Sequence, residues 1–84
     1  MHIEINGESR VIPPRQIMGA SNEEFECVYQ GCELSIHMVD GGWNVDFVDE
    51  DGDGIIQGFY PFVFGTRNLR NIKLVIELCI EKIV

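Results

Sequence analysis

The chain has 84 residues, 45% of them hydrophobic, and carries 14 acidic against 6 basic side chains, for a formal charge of −8. This is enough apolar material for one small core, and too much for a disordered chain. The acidic excess repels phosphate, which argues against direct binding to nucleic acid or to an anionic membrane; a basic protein partner would be attracted instead.

The first residues, Met1 to Gly7, hold no basic stretch followed by an apolar run, so no signal peptide is expected. The longest apolar stretch, residues 54–65, is interrupted by Gln57 and Pro61 and falls short of the ~20 residues a membrane helix needs. Cys27, Cys32 and Cys79 form an odd set without a C-x-x-C pair, which fits reduced thiols in a cytoplasmic protein. Cys27, Cys32 and His37 would need a fourth ligand to hold zinc, with His2 the remaining candidate, and the spacing fits no compact finger.

Taken in chain order, Ile3-Glu4-Ile5 and Arg10-Val11-Ile12 flank Asn6-Gly7 and suit a short hairpin, which Pro13-Pro14 then stops. Residues 1–24 are otherwise expected to be irregular. Ser21-Asn22-Glu23-Glu24 has the form of a helix capping box, with Phe25, Val28, Tyr29 and Cys32 at helical spacing and Gly31 as terminator. The same segment alternates, Phe25, Cys27 and Tyr29 against Glu24, Glu26 and Gln30, and this favours a strand.

Leu34, Ile36 and Met38 alternate with Glu33, Ser35 and His37, and after the glycines Trp43, Val45 and Phe47 alternate with Asn44 and Asp46. A two-residue Gly41-Gly42 turn matches the faces, setting Met38 opposite Val45, Ile36 opposite Phe47 and His37 toward Asp46. The next turn carries Asp49-Glu50-Asp51-Gly52-Asp53-Gly54, and a returning strand runs from Ile55 to Phe64. Pairing Val48 with Ile55 then brings Phe47 to Ile56 and Trp43 to Tyr60, and adds Gln57 to an outer polar row with His37 and Asp46. Val48, Ile55 and Phe59 make that outer face too apolar for water alone. The N-terminal third is expected to cover it, the alternative being a partner.

Residues 69–84 alternate as a strand would, but their length favours a helix. Thr66 or Asn68 would cap it, and Leu69, Ile72, Ile76, Cys79, Ile80 and Ile83 would form its buried stripe. Leu74 and Leu78 fall on the other side, to be buried by the N-terminal segment or used in a homodimer. The expected fold is α+β in a single domain over 1–84. A three- to five-stranded antiparallel β-meander over 25–64 packs on one C-terminal helix over 67–84.

The Asp run reproduces the first half of an EF-hand calcium loop, with Asp49, Asp51 and Asp53 as ligands. Its second half fails, because Tyr60 stands where the closing Glu belongs and strands replace the flanking helices. A solvated turn built from Asp and Gly is the simpler expectation, with weak calcium binding as the alternative. No phosphate loop, zinc-protease or nucleophile-elbow motif is present, and His37 beside Asp46 has no nucleophile, so no enzyme is expected. The aromatic run from Phe59 to Phe64 fills the core with one alternating set and leaves Phe59 and Val63 outside. Aromatic residues ringed by acids suit a protein-binding patch, formed here by Asp46, Asp49, Glu50, Asp51, Asp53 and Phe59.

Tyr29-Gln30-Gly31, Leu34-Ser35-Ile36, Gly42-Trp43-Asn44-Val45-Asp46-Phe47, Asp51-Gly52 and a terminal helix together resemble small bacterial βββα domains. Over residues 33–84 the layout is similar to the partial RNase H-like domain of HicB-type antitoxins. The resemblance implies inhibition of a small RNA-cleaving toxin by direct contact. Phe64-Gly65-Thr66-Arg67 replaces that family's acidic Gly-Asp-Thr run, and no individual residue role carries over.

Overall fold

A computed structural model describes all 84 residues. The Asn6-Gly7 hairpin forms as expected, with β1 (His2–Ile5) antiparallel to β2 (Glu8–Val11) and Ile5 opposite Glu8. Asn6 and Gly7 take φ of 53° and 80°, the pair of positive values that a type I′ turn requires. Pro14–Gln16 then make a single 3-10 turn.

The rest of the N-terminal third is not irregular. β3 (Ile17–Ala20) pairs with β4 (Glu24–Tyr29) and becomes the edge of the main sheet. Between them the Ser21 hydroxyl accepts from the backbone N–H groups of Glu23 and Glu24 at 3.2 and 3.1 Å. The residue that suggested a helix cap therefore closes a turn, and the alternating pattern prevails, with Phe25, Cys27 and Tyr29 buried.

The main sheet runs β3-β4-β5-β6-β7, adding β5 (Cys32–Val39), β6 (Gly42–Val48) and β7 (Gly54–Pro61). All its pairings are antiparallel, so the expected α+β meander is observed with five strands. The β5–β6 turn corrects the expected register. It lies at Asp40-Gly41, which sets Met38 opposite Trp43, Ile36 opposite Val45 and His37 opposite Asn44. Gly41 supplies the positive φ, 83°. Gly42 is a strand residue, needed there because a Cβ would strike the Tyr60 carbonyl and the Phe59 ring. The shift is two residues, so each side chain keeps its face.

Between β6 and β7, Phe47 meets Ile56 and Trp43 meets Tyr60 as expected, but Val48 faces Gly54 and Ile55 becomes the extra residue of a bulge. β7 also stops sooner than expected. A small hairpin, β8 (Val63–Phe64) with β9 (Arg67–Asn68), takes up the start of the segment assigned to helix. α1 (Ile72–Ile80) is capped by Asn71, whose Oδ1 accepts from the Lys73 N–H at 2.9 Å, and not by Thr66 or Asn68. A 3-10 turn over Glu81–Ile83 follows it.

The inner face of the sheet meets α1 and the N-terminal hairpin in a single cluster of 19 buried residues, in which Trp43, Phe25 and Phe47 are the largest. Trp43 ties the layers together, its indole N–H donating to the Leu69 carbonyl and its ring meeting Phe62 edge-on at 5.9 Å. Ile3, Ile5 and Ile12 enter this cluster beside the helix. The N-terminal third thus covers the inner side and leaves Phe59 exposed and Val48 half-buried, while Ile55, in its bulge, packs partly against the core. Leu78 is buried at 8% exposure while Leu74 stays 43% exposed, and both line one hollow beside β1 and β9.

Candidate protein-binding surface

Charge is sharply segregated along this fold. Ten of the 14 acids (Glu23, Glu24, Glu26, Glu33, Asp40, Asp46, Asp49, Glu50, Asp51 and Asp53) fall within residues 16–66, which contain no Lys or Arg. That segment is the five-stranded sheet and its turns. Inward-facing positions are apolar, so the charged side chains gather on the outer face and at the strand ends.

Two rows cross the outer face, Glu24–His37–Asn44–Phe59 and Glu26–Ser35–Asp46–Gln57. Ser35 Oγ lies 2.9 Å from His37 Nε2, and the ring nitrogens of His37 lie 3.5 Å from Glu24 and 3.6 Å from Glu26. Gln57 donates to Asp46 Oδ1 at 2.6 Å. His37 does not meet Asp46, as the sequence suggested. The changed register gives Asp46 to Ser35 and Gln57.

The acidic loop is held from within. Asp49 Oδ1 accepts from the backbone N–H groups of Asp51 and Asp53 at 2.9 and 3.0 Å, and the Asp49 N–H donates to the Asp53 carbonyl at 2.9 Å. Glu50 folds onto Gly31 in the β4–β5 turn, where an added Cβ would collide with its carboxylate. Asp51 and Asp53 remain exposed. Carboxylate oxygens of Asp49, Asp51 and Asp53 lie within 4.8 Å of one another. With one oxygen each, the three carboxylates supply half or less of the six to eight oxygens calcium takes, and one of the three already serves backbone donors. The loop joins two strands, and Tyr60 lies within β7.

Cys27, Cys32 and Cys79 are free and buried. Burial pushes the Cys27 thiol up to about 11. Cys79 is pushed up to about 12 by burial, with Cys27 and Glu81 adding to it. Cys32 is raised by burial and by Asp49 and Glu50. These directions oppose thiolate formation, which zinc ligation requires. Cys27 also faces inward and His37 outward, so the evenly spaced trio shares no site.

Phe59 is 52% exposed on the outer face, its ring lying over Gly42. Met18 is 59% exposed at the opposite edge. It is the extra residue of a bulge between Ile17 and Gly19, and bulges re-aim side chains in this way. A hollow of about 320 Å³ opens between Met18 and Val48, with Glu26, Glu33, Ser35 and Asp46 in its lining. Sequence reasoning missed Glu24, Glu26, Glu33 and Met18 as surface candidates. The alternation in β4 and β5 already placed the three glutamates outward, whereas the bulge at Met18 left no signal.

A second hollow of about 310 Å³ lies between β1, β9 and α1. There Arg67 pairs with Glu81 at 2.9 Å, and the Glu4 N–H meets Glu77 at 3.4 Å. Arg67–Glu81 is the one salt bridge in its lining, and the Glu4 and Glu77 carboxylates make none.

Comparison with protein-family models, curated proteins and solved structures finds no match to this chain. No helix is long and apolar enough to cross a membrane.

Proposed function

We propose that the protein is a non-enzymatic binding module that inhibits a basic, nucleic-acid-acting protein, as antitoxins and phage anti-defence proteins do. The observation that carries this reading is the segregation of ten acids onto the sheet and its turns, without a single Lys or Arg. Glu50, Asp51 and Asp53, all exposed, with half-buried Asp49 beside them, present negative charge where the partner's groove would otherwise hold phosphate. Asp46 continues that charge onto the sheet, and Phe59 supplies an apolar anchor. Buried aromatic contact would give most of the affinity, while the acids steer encounter and set partner choice. Inhibition of a small RNA-cleaving toxin is the most specific form of this proposal.

The test is charge reversal of Asp49, Asp51 and Asp53 to lysine, with titration against the basic protein captured by the parent chain at low and high salt. Binding should weaken and its salt dependence should flatten. Unchanged affinity would count against the loop's role. Weak calcium binding is the second reading, favoured by the approach of the three carboxylates to within 4.8 Å. Heat on calorimetric titration with calcium, together with a raised melting temperature, would support it.

A further inference from the structure

The uncovered face of the five-stranded sheet sets unanswered charge beside apolar side chains and a hollow, a combination the loop lacks. Glu33 makes no ion pair or side-chain hydrogen bond, and its cross-strand neighbours are Val28 and Val48. Glu26 has only a contact to His37 at 3.6 Å, and Asp46 has only neutral Gln57. The apolar side chains flanking them, Met18 and Phe59, stand at opposite edges of the same face.

We propose that this outer sheet face, more than the acidic loop, is the docking face, and that it takes a basic partner segment through arginine side chains laid in the hollow between Met18 and Val48. The inference rests on the protein-binding reading above. Charge complementarity selects a cation, and several acceptors around one hollow favour arginine over lysine. Glu26 and Asp46 lie in one row on β4 and β6, two strand spacings or roughly 10 Å apart, with the Ser35 hydroxyl between them. A planar guanidinium can reach two acceptors at once from that space, whereas an ammonium acts as a compact, strongly hydrated point. The aliphatic part of the arginine lies along the Met18 and Val48 side chains, which would otherwise face water.

The decisive experiment titrates the isotopically labelled full chain with nona-arginine and with nona-lysine, following backbone amide shifts. Both peptides should bind, nona-arginine about three- to tenfold more tightly, consistent with its bidentate geometry. Shifts should centre on Met18, Glu26, Glu33, Asp46 and Val48. Glu33→Gln with Glu26→Gln should remove the arginine preference, and Met18→Ser should weaken nona-arginine more than nona-lysine. All three substituted positions lie at the surface, and an unchanged circular dichroism spectrum verifies the fold. Equal affinities with shifts confined to residues 49–53 would overturn the docking face while leaving the basic-partner reading intact. Failure of both peptides to bind would overturn the docking face and the basic-partner reading together.

Discussion

Replacing Trp43 with phenylalanine tests what holds the outer sheet face in shape. Trp43 is fully buried on the inner side of β6, one residue from Asn44, which faces outward. Its indole N–H donates to the Leu69 carbonyl in the segment leading into α1. Phenylalanine leaves that carbonyl without its donor in a dry site, a loss of about 1–3 kcal/mol. The smaller ring also gives up packing against Phe62, worth roughly 1–2 kcal/mol. The sum, about 2–5 kcal/mol, is a large part of the roughly 4–12 kcal/mol expected for a chain of this length. Urea unfolding followed by circular dichroism is the suitable assay, because the substitution removes the only tryptophan. The midpoint should fall with the slope unchanged. A loss below about 0.5 kcal/mol would refute the account, because it would mean that neither the hydrogen bond nor the ring is needed to join the layers.

Other outcomes follow from the same geometry. Asp49→Ala removes the acceptor of two backbone N–H groups and should cost about 0.5–2 kcal/mol in urea unfolding, the range for lost caps, whereas Asp51→Ala should be near neutral. Leu78→Ala should cost about 2–4 kcal/mol, while Leu74→Ala should cost under about 1 kcal/mol. The folded state keeps the Cys27 and Cys79 protons to about 11 and 12, whereas an unfolded thiol releases its proton near ~8.5. Their contribution to stability is therefore complete below about pH 8.5 and declines as the pH rises toward those values. Thermal melts between neutral and strongly alkaline pH should show the decline, and Cys27→Ala should lessen it.

The strands from Phe25 to Tyr60 were legible because period-two alternation is a local signal and the inward set is almost wholly apolar. The Asn6-Gly7 hairpin was legible for the same reason, its turn chemistry being contained in two residues. The Asp40-Gly41 turn was misplaced because Gly42 looks like a turn glycine. Its actual constraint, the approach of Tyr60 and Phe59 from another strand, does not exist in the local sequence. β3 was missed because four residues that include a glycine and a bulge give no periodicity. The helix starts later than its periodicity suggests because the β8–β9 hairpin at Val63 to Asn68 depends on tertiary placement, including Trp43 reaching Leu69. On the candidate surface, Asp46 and Phe59 were located from strand parity. The glutamates of β4 and β5 share that parity, but alternation alone does not tell which outward residues stay uncovered.

The two bulges, at Met18 on one edge strand and Ile55 on the other, bear on how this protein behaves in a crowded solution. Irregular edges resist the sideways addition of another chain's strand, and a carpet of carboxylates keeps two bare faces from stacking. The second safeguard depends on acidity. Near the isoelectric point of about 4.4 the mutual repulsion fades while the Phe59 and Met18 side chains stay in water, so colloidal stability should fail there before the fold itself does.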